Sequence, residues 1–379
     1  MNQPITCKVC GMTCHNLKPH FIGERNASCT VTLAEYQNRY PDAPLYSEIF
    51  KKKLDELVAK KQPPVRSAGV DILKMTVQEY PLKELFNVEM GTMRTIYGFK
   101  ERHELVPEID PEYQFPPEAT KIALLGLRLN KPTMIHGPTG SGKTTLAEQI
   151  AARINMPVMR INHHSDMYSY DIAGQMKVID GETRFEHGPL PFAMQRPIML
   201  IMDEWDAINP EIGMMYQPVL ERRPDEILGS IILTAAGGEK VDSHPMFRIV
   251  ATSNTCGLGD DKGHYQGTQI QNLAFVSRFQ LRVKLDYLKP EHEQKILEKK
   301  FPKLSTDEFK LLTKTAAKIR EQYEGGRLDV PYSLRDLINW TELYVLLGDA
   351  QKAMTYSCTS ILPFSDAKTV SEIVQRIWG

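Results

Sequence analysis

The segment Gly137-Pro138-Thr139-Gly140-Ser141-Gly142-Lys143-Thr144 constrains this chain more than any other stretch. It fits Gly-x-x-x-x-Gly-Lys-Thr at every position. An apolar run, Thr133–His136, precedes it, and a helical pattern, Lys143–Ile154, follows it. A strand that turns through such a loop into a helix aims backbone N–H groups and the positive end of the helix dipole at one point. Phosphate suits that point. Lys143 can reach the outer phosphates, and the Thr144 hydroxyl can ligate Mg²⁺. Gly137 to Thr144, with Thr145 directly after, are the candidate nucleotide-binding residues. No Asn-Lys-x-Asp follows the loop, which favours ATP over GTP.

The flanking sequence predicts an α/β domain. Helix Pro117–Leu129 leads into the loop strand. Further apolar strands are expected at Val158–Ile161, Ile198–Met202, Arg248–Thr252 and Gln280–Leu285, with a helix over Glu211–Glu221. Apolar strands alternating with helices imply a parallel sheet covered on both faces. From Lys289 onward strand signals give way to helical periodicity, so an all-helical domain follows. The expected divisions are a Cys/His-rich module over 1–40, a helix (Ser47–Lys61, capped by Ser47) with a linker over 41–80, the α/β domain over 81–287, and the helical domain over 288–379. Residues 71–117, rich in Pro and acids, read as an irregular lead-in.

Phosphoryl transfer needs further parts, and candidates stand at expected strand ends. Asp203, closing an apolar strand, is placed to hold Mg²⁺, and Glu204 to orient and polarise the attacking water. Asp206 reads instead as a solvated acid in the turn beyond. Asn254, just past another strand, can hold the attacking water or the γ-phosphate. Arg278, in Phe275-Val276-Ser277-Arg278-Phe279, and Arg335, in Tyr332-Ser333-Leu334-Arg335, can each stabilise transition-state charge. Local chemistry alone favours surface salt bridges for both.

Lys and Arg number 46 against 47 for Asp and Glu, so the chain is not a polybasic nucleic-acid coat. It has no apolar run long enough to span a membrane and no secretory leader pattern, and the expected location is the cytoplasm. Of its six Cys, Cys7, Cys10, Cys14 and Cys29 crowd the start. Without an export signal that suggests metal rather than disulfides. Cys7, Cys10, His20 and Cys29 form a candidate tetrahedral Zn²⁺ set, with Cys14 and His15 as competing ligands.

The order of these parts resembles the AAA+ ATPases: P-loop, Asp-Glu strand, Asn after the next strand, and two later arginines. By that resemblance the fold is an AAA+ P-loop parallel-sheet core with a C-terminal helical lid, Asn254 is sensor 1, Arg278 is a finger reaching a neighbouring subunit's nucleotide, and Arg335 is the lid arginine. Residues 82–117, Asp203-Glu204-Trp205-Asp206, Ala251–Asp260 and His264–Gln269 are similar to the CobS-type cobaltochelatase ATPases of the MoxR branch. That likeness runs from about residue 80 to about residue 345. It implies a β-hairpin inserted in the second helix, matched by Gln175–Phe185 around Asp180-Gly181, which faces a pore or client or is a plain surface hairpin. It also implies a hexameric ring and a partner carrying a von Willebrand-type domain, remodelled at the expense of ATP. Residues 5–45 resemble small zinc-finger modules of the Cys-x-x-Cys-Gly type. Such a module can recruit a protein client or DNA, so an ATP-driven nucleic-acid motor is the alternative.

Overall fold

The computed structural model describes residues 4–14, 16–17, 20–21, 28–45, 47–48, 69–179, 181–225, 227–259, 267–329 and 331–379. It divides into two compact units, Met1–Gly69 and Val70–Gly379. The expected helix after Ser47 and its linker, His15, Asp180, and most of the stretch 260–269 lie outside the described residues.

In the N-terminal unit, β1 (Ile5–Thr6) pairs antiparallel with β2 (Thr13–Cys14), and α1 (Leu33–Arg39) follows. Thr32 and Glu35 close a reciprocal capping box at the start of α1, which satisfies two helix-end donors. Leu17, Phe21 and Tyr36 pack with Cys7 and Cys29 into a core of a few side chains.

The second unit opens with an antiparallel ribbon, β3 (Val77–Pro81) with β4 (Thr95–Phe99). The expected irregular lead-in is therefore corrected. Tyr80 donates to the Phe99 carbonyl, and the Phe99 N–H donates to Ile154 at the end of the P-loop helix. Next come α2 (Pro117–Leu129), β5 (Thr133–His136), α3 (Lys143–Arg153) and β6 (Val158–Asn162). The hairpin strands β7 (Gly174–Ile179) and β8 (Glu182–His187) follow, with Ile179 opposite Glu182. Gly181 in the connection has φ +82, as a tight turn of this length requires. Then come α4 (Pro189–Met194), β9 (Met199–Asp203), a second ribbon of β10 (Ser230–Leu233) with β11 (Glu239–Asp242), β12 (Arg248–Ser253) and β13 (Leu281–Lys284).

Five strands form one parallel sheet in the order β13-β5-β12-β9-β6. Successive residues of a strand face opposite sides, and both sides here are apolar. Met134, Leu200, Met202 and Ala251 enter one core cluster; Ile135, Met199, Ile201 and Val250 enter the other, with α2 and α3. Both faces are thus covered, as a parallel sheet demands.

The single helix expected over Glu211–Glu221 is broken. Short helices at Pro210–Gly213 and Gln217–Leu220 flank a tight turn at Met214–Tyr216. Pro218 has no N–H to return to Met214, so the four-residue ladder cannot continue.

The C-terminal region is all helical: α5 (Pro290–Lys300), α6 (Thr306–Glu324), α7 (Leu334–Leu347), α8 (Ala350–Ser357) and α9 (Phe364–Trp378). Trp340, Leu312, Ala316, Met354 and Val370 fill its core. Inside it, Arg320 pairs with the fully buried Glu293 through both guanidinium nitrogens, at 2.8 and 3.0 Å. No helix among the described residues is long and apolar enough to cross a membrane.

Candidate nucleotide and metal sites

The carboxyl ends of β5, β9 and β12, neighbours in the sheet, carry Gly137–Thr144, Asp203-Glu204 and Asn254. Buried Lys143 folds its ammonium back onto the loop, 2.9 Å from the Gly137 carbonyl and 3.0 Å from that of Pro138. It also donates to Asn254 Oδ1 at 2.8 Å. Burial holds the ammonium down at about 8, against the pull of Asp206, Asp203 and Glu204. A desolvated cation already facing acceptors is prepared to take a phosphate oxygen instead.

Thr144 Oγ1 donates to Asp203 Oδ1 at 2.6 Å. Two hard oxygen donors in contact suit Mg²⁺. The Thr252 hydroxyl also donates to Asp203 Oδ1, and Arg160 on β6 pairs with Oδ2. Asp203 is thus held from three sides. Glu204 takes a left-handed backbone, φ +51, and its N–H donates to Thr252 Oγ1 at 3.0 Å. A non-glycine residue in that region marks local strain at a position aimed by its surroundings. Partial burial and the charges of Asp203 and Asp206 push its carboxyl up. Behind the acids, neutral His163 bridges the Asp203 carbonyl at 3.0 Å and the Tyr216 hydroxyl at 2.9 Å. Burial holds this imidazole down at about 4.

A cavity of about 580 Å³ opens over the loop. Its walls come from Gly140, Ser141, Gly142 and Thr145, from Tyr113 and neighbours, and from Leu288, Ile296, Leu334, Arg335 and Ile338 of the helical region. Ser333 caps α7 and presses on the loop: a Cβ at Gly140 would lie 2.3 Å from the Ser333 Cβ. Gly140 also has φ +74. Tyr287 donates to the Thr139 carbonyl at 3.0 Å, and the Arg320 guanidinium stacks on its ring at 4.6 Å. Arg320 in turn donates to the carbonyl of Tyr332, next to Ser333. The loop and the helical region are therefore tied at two points.

The structure brings Arg335 to this cavity but not Arg278. Arg278 pairs with Glu221 at 2.8 Å, and neither residue lines the cavity. The reading of Asp206 as solvated is corrected: it is fully buried and accepts hydrogen bonds from Ser253, Asn254 and Thr255. Its donors come from a strand end more than forty residues later, so local sequence gave no signal. Arg160, Thr252, His163 and Tyr287 were also not singled out by sequence. Each acts on the site through a contact between distant segments.

In the N-terminal unit, ligand atoms of Cys7, Cys10, His20 and Cys29 lie within 4.8 Å of one another. Cys7 and Cys29 sulfurs are 3.9 Å apart, and Cys10 Sγ is 3.0 Å from His20 Nε2. Three thiols and one imidazole are the donor set of a closed tetrahedral Zn²⁺ site. His20 Nδ1 is 2.6 Å from the Ser28 hydroxyl, the kind of outer contact that orients a ligating imidazole. Cys14 turns away and donates to the Asn16 carbonyl.

A P-loop at the carboxyl end of a strand within a parallel sheet, an acid pair on the next strand but one and a helical roof define a P-loop ATPase. Comparison with known proteins narrows the class. The family described as AAA domain (dynein-related subfamily) matches residues 132–279, and CbbQ/NirQ/NorQ C-terminal matches 293–378. Aerobic cobaltochelatase subunit CobS from Sinorhizobium sp is 32% identical over 319 residues, covering 82% of this chain and 93% of CobS. Protein NorQ from Paracoccus denitrificans is 28% identical over 123 residues, 32% of this chain and 43% of NorQ. Gas vesicle ATPase GvpN from Haloferax mediterranei is 25% identical over 303 residues, 74% of this chain and 82% of GvpN. The chain belongs to the CobS-like AAA+ ATPases of the MoxR branch, and its chemistry is the hydrolysis of ATP with Mg²⁺.

Proposed function

We propose that the chain works as a hexameric ring that couples Mg²⁺-dependent ATP hydrolysis to remodelling of a protein partner, one bearing a von Willebrand-type domain. The observation that carries this reading is the division of the arginines. Arg335 lines the P-loop cavity, whereas Arg278 stands outside it, paired with Glu221. That division suits Arg278 to a neighbouring subunit's site.

In this reading the loop amides and Lys143 hold the phosphates. Thr144 and Asp203 would hold Mg²⁺, which supplies positive charge on the phosphate oxygens. Glu204 orients the attacking water and accepts its proton. Asn254 holds that water or the γ-phosphate once Lys143 turns from it to the nucleotide. Arg335 contacts the chain's own nucleotide and Arg278 the neighbour's. The β7–β8 hairpin, with Met176 and Val178 exposed, faces the client. Cys7, Cys10, His20 and Cys29 hold a structural Zn²⁺, cross-linking a unit whose apolar core is too small to suffice alone.

The test uses Glu204→Gln, which should bind ATP without turning it over. Light scattering with ATP should give about six times the 43.1 kDa chain mass, and a von Willebrand-type protein should co-purify. A chain that stays monomeric with ATP refutes the ring. A helicase or nuclease in place of that partner, with DNA-stimulated turnover, would move the reading to a nucleic-acid motor.

A further inference from the structure

Asp206 is a fully buried carboxylate beside the nucleotide loop, and the roles above leave it without one. Its Oδ2 accepts from four donors: the Ser253 hydroxyl at 2.8 Å, the Asn254 N–H at 3.1 Å, the Thr255 N–H at 2.9 Å and the Thr255 hydroxyl at 2.8 Å. All four belong to the end of β12 and the turn beyond it. That turn carries the Asn254 amide, whose oxygen meets the Lys143 ammonium. Charge-assisted bonds to consecutive backbone amides are strong and directional. They fix the backbone at Asn254 without placing Asp206 in contact with nucleotide.

A second set of contacts runs the other way. The Asp206 carbonyl accepts the Gln269 N–H at 2.7 Å. Trp205, its neighbour in the chain, is fully buried and packs on Phe275 at 5.2 Å and Phe279 at 5.3 Å. Those rings bracket Arg278 in the sequence. One short turn after β9 thus grips both the Asn254 turn and the segment bearing Arg278.

We propose that Asp206 is a positioning residue for ATP hydrolysis: it sets the Asn254 amide against the outer-phosphate end of the nucleotide site, and with Trp205 it holds the Arg278 segment in the same frame. The proposal rests on the role given to Asn254. It differs from a purely structural role because the Asp206 carboxylate acts on turnover through one side chain, Asn254; the contacts toward the Arg278 segment are made by the Asp206 backbone carbonyl and by Trp205, which Asp206→Asn leaves in place.

The test is a double-mutant cycle with separate binding and turnover measurements. Hydrogen bonds to a charged group are worth enough that Asp206→Asn should lower kcat about tenfold or more. The Kd for a fluorescent ATP analogue should change less than about threefold, because the loop and Lys143 remain. Asn254→Ala should show the same pattern, and the double variant should be no slower than the worse single one. Losses that multiply in the double variant, or a Kd that rises in step with the fall in kcat, overturn the proposal. So does wild-type kcat in Asp206→Asn. Wild-type kcat in Asn254→Ala beside an impaired Asp206→Asn refutes the role of Asn254 as well, which separates the two failures. Should Asp206→Asn not fold, Ser253→Ala/Thr255→Val removes two donors and keeps the charge. It should lower kcat by about threefold or more with Kd unchanged, and unchanged kcat there overturns the proposal.

Discussion

One added methyl group at Gly140 tests how the P-loop and the helical region share the nucleotide site. In Gly140→Ala the new Cβ would lie 2.3 Å from Ser333 Cβ and 2.8 Å from its hydroxyl. The residue must also keep φ near +74. The left-handed backbone costs an alanine about 1–2 kcal/mol, and forcing apart a packed contact costs about 1–3 kcal/mol. A nucleotide held between the loop and α7 at their observed spacing then binds against this strain. ATP affinity should therefore fall at least about thirtyfold, which corresponds to about 2 kcal/mol. Ser333→Gly removes the clashing atoms and leaves the Ser333 Cα at 3.7 Å, an ordinary contact. Glycine is only a few tenths of a kcal/mol poorer than serine as a helix cap. The double variant should then regain about tenfold in affinity and retain only the backbone strain. Calorimetric titration with a non-hydrolysable ATP analogue measures this, with a thermal melt to show that the fold is intact. A Gly140→Ala variant that binds like wild type, or a double variant no better than the single one, refutes the reasoning.

Glu204→Gln should retain ATP binding and lose turnover by about 10²–10⁴-fold, as removal of a proton acceptor implies; single-turnover kinetics with a binding assay distinguish the two steps. Arg320→Met strands Glu293, which is fully buried, and should destabilise the helical region by about 3–5 kcal/mol, whereas Arg320→Met/Glu293→Leu should recover most of that loss in a melt followed by circular dichroism. Metal analysis of the purified chain should find one Zn²⁺, and Cys29→Ser should abolish it while leaving the P-loop unit's ATP binding within about twofold, since the ligands lie in a separate unit.

The parts of the fold that sequence revealed are those whose physics is local. Each buried strand is a continuous apolar run, and the loop glycines and Lys143 carry their geometry in their spacing. The all-helical end was legible from periodicity alone. The β3–β4 and β10–β11 ribbons were not, because these strands of four or five residues carry apolar side chains on their exposed face as well, as at Val77 and Ile232, and residue type does not follow the alternation of burial. The helix expected over Glu211–Glu221 breaks at Met214–Tyr216, one turn ahead of Pro218, because the apolar pattern continues across a residue whose missing N–H cannot extend the ladder back to Met214. Asp206 and Arg160 escaped because their partners lie on other segments, and the character of a carboxylate or guanidinium depends on what folds against it. For Arg278 and Arg335, sequence chemistry allowed an ion pair or a catalytic role. The structure shows an ion pair for one and a cavity wall for the other. The grouping of Cys7, Cys10, His20 and Cys29 was legible from spacing, whereas the bond from Cys14 to the Asn16 carbonyl, made within the fold, was not.

The central claim, that each working site joins the P-loop of one subunit to Arg278 of the next, is tested most directly by mixing two inactive variants. Lys143→Ala spoils the loop and leaves the finger, and Arg278→Ala does the reverse. In rings mixed one to one, about a quarter of the head-to-tail interfaces would pair an intact loop with an intact finger. ATP turnover should be about a quarter of wild type in the mixture and almost none in either variant alone. An inactive mixture in rings shown to exchange subunits, or an Arg278→Ala variant that turns over ATP at the wild-type rate alone, contradicts it.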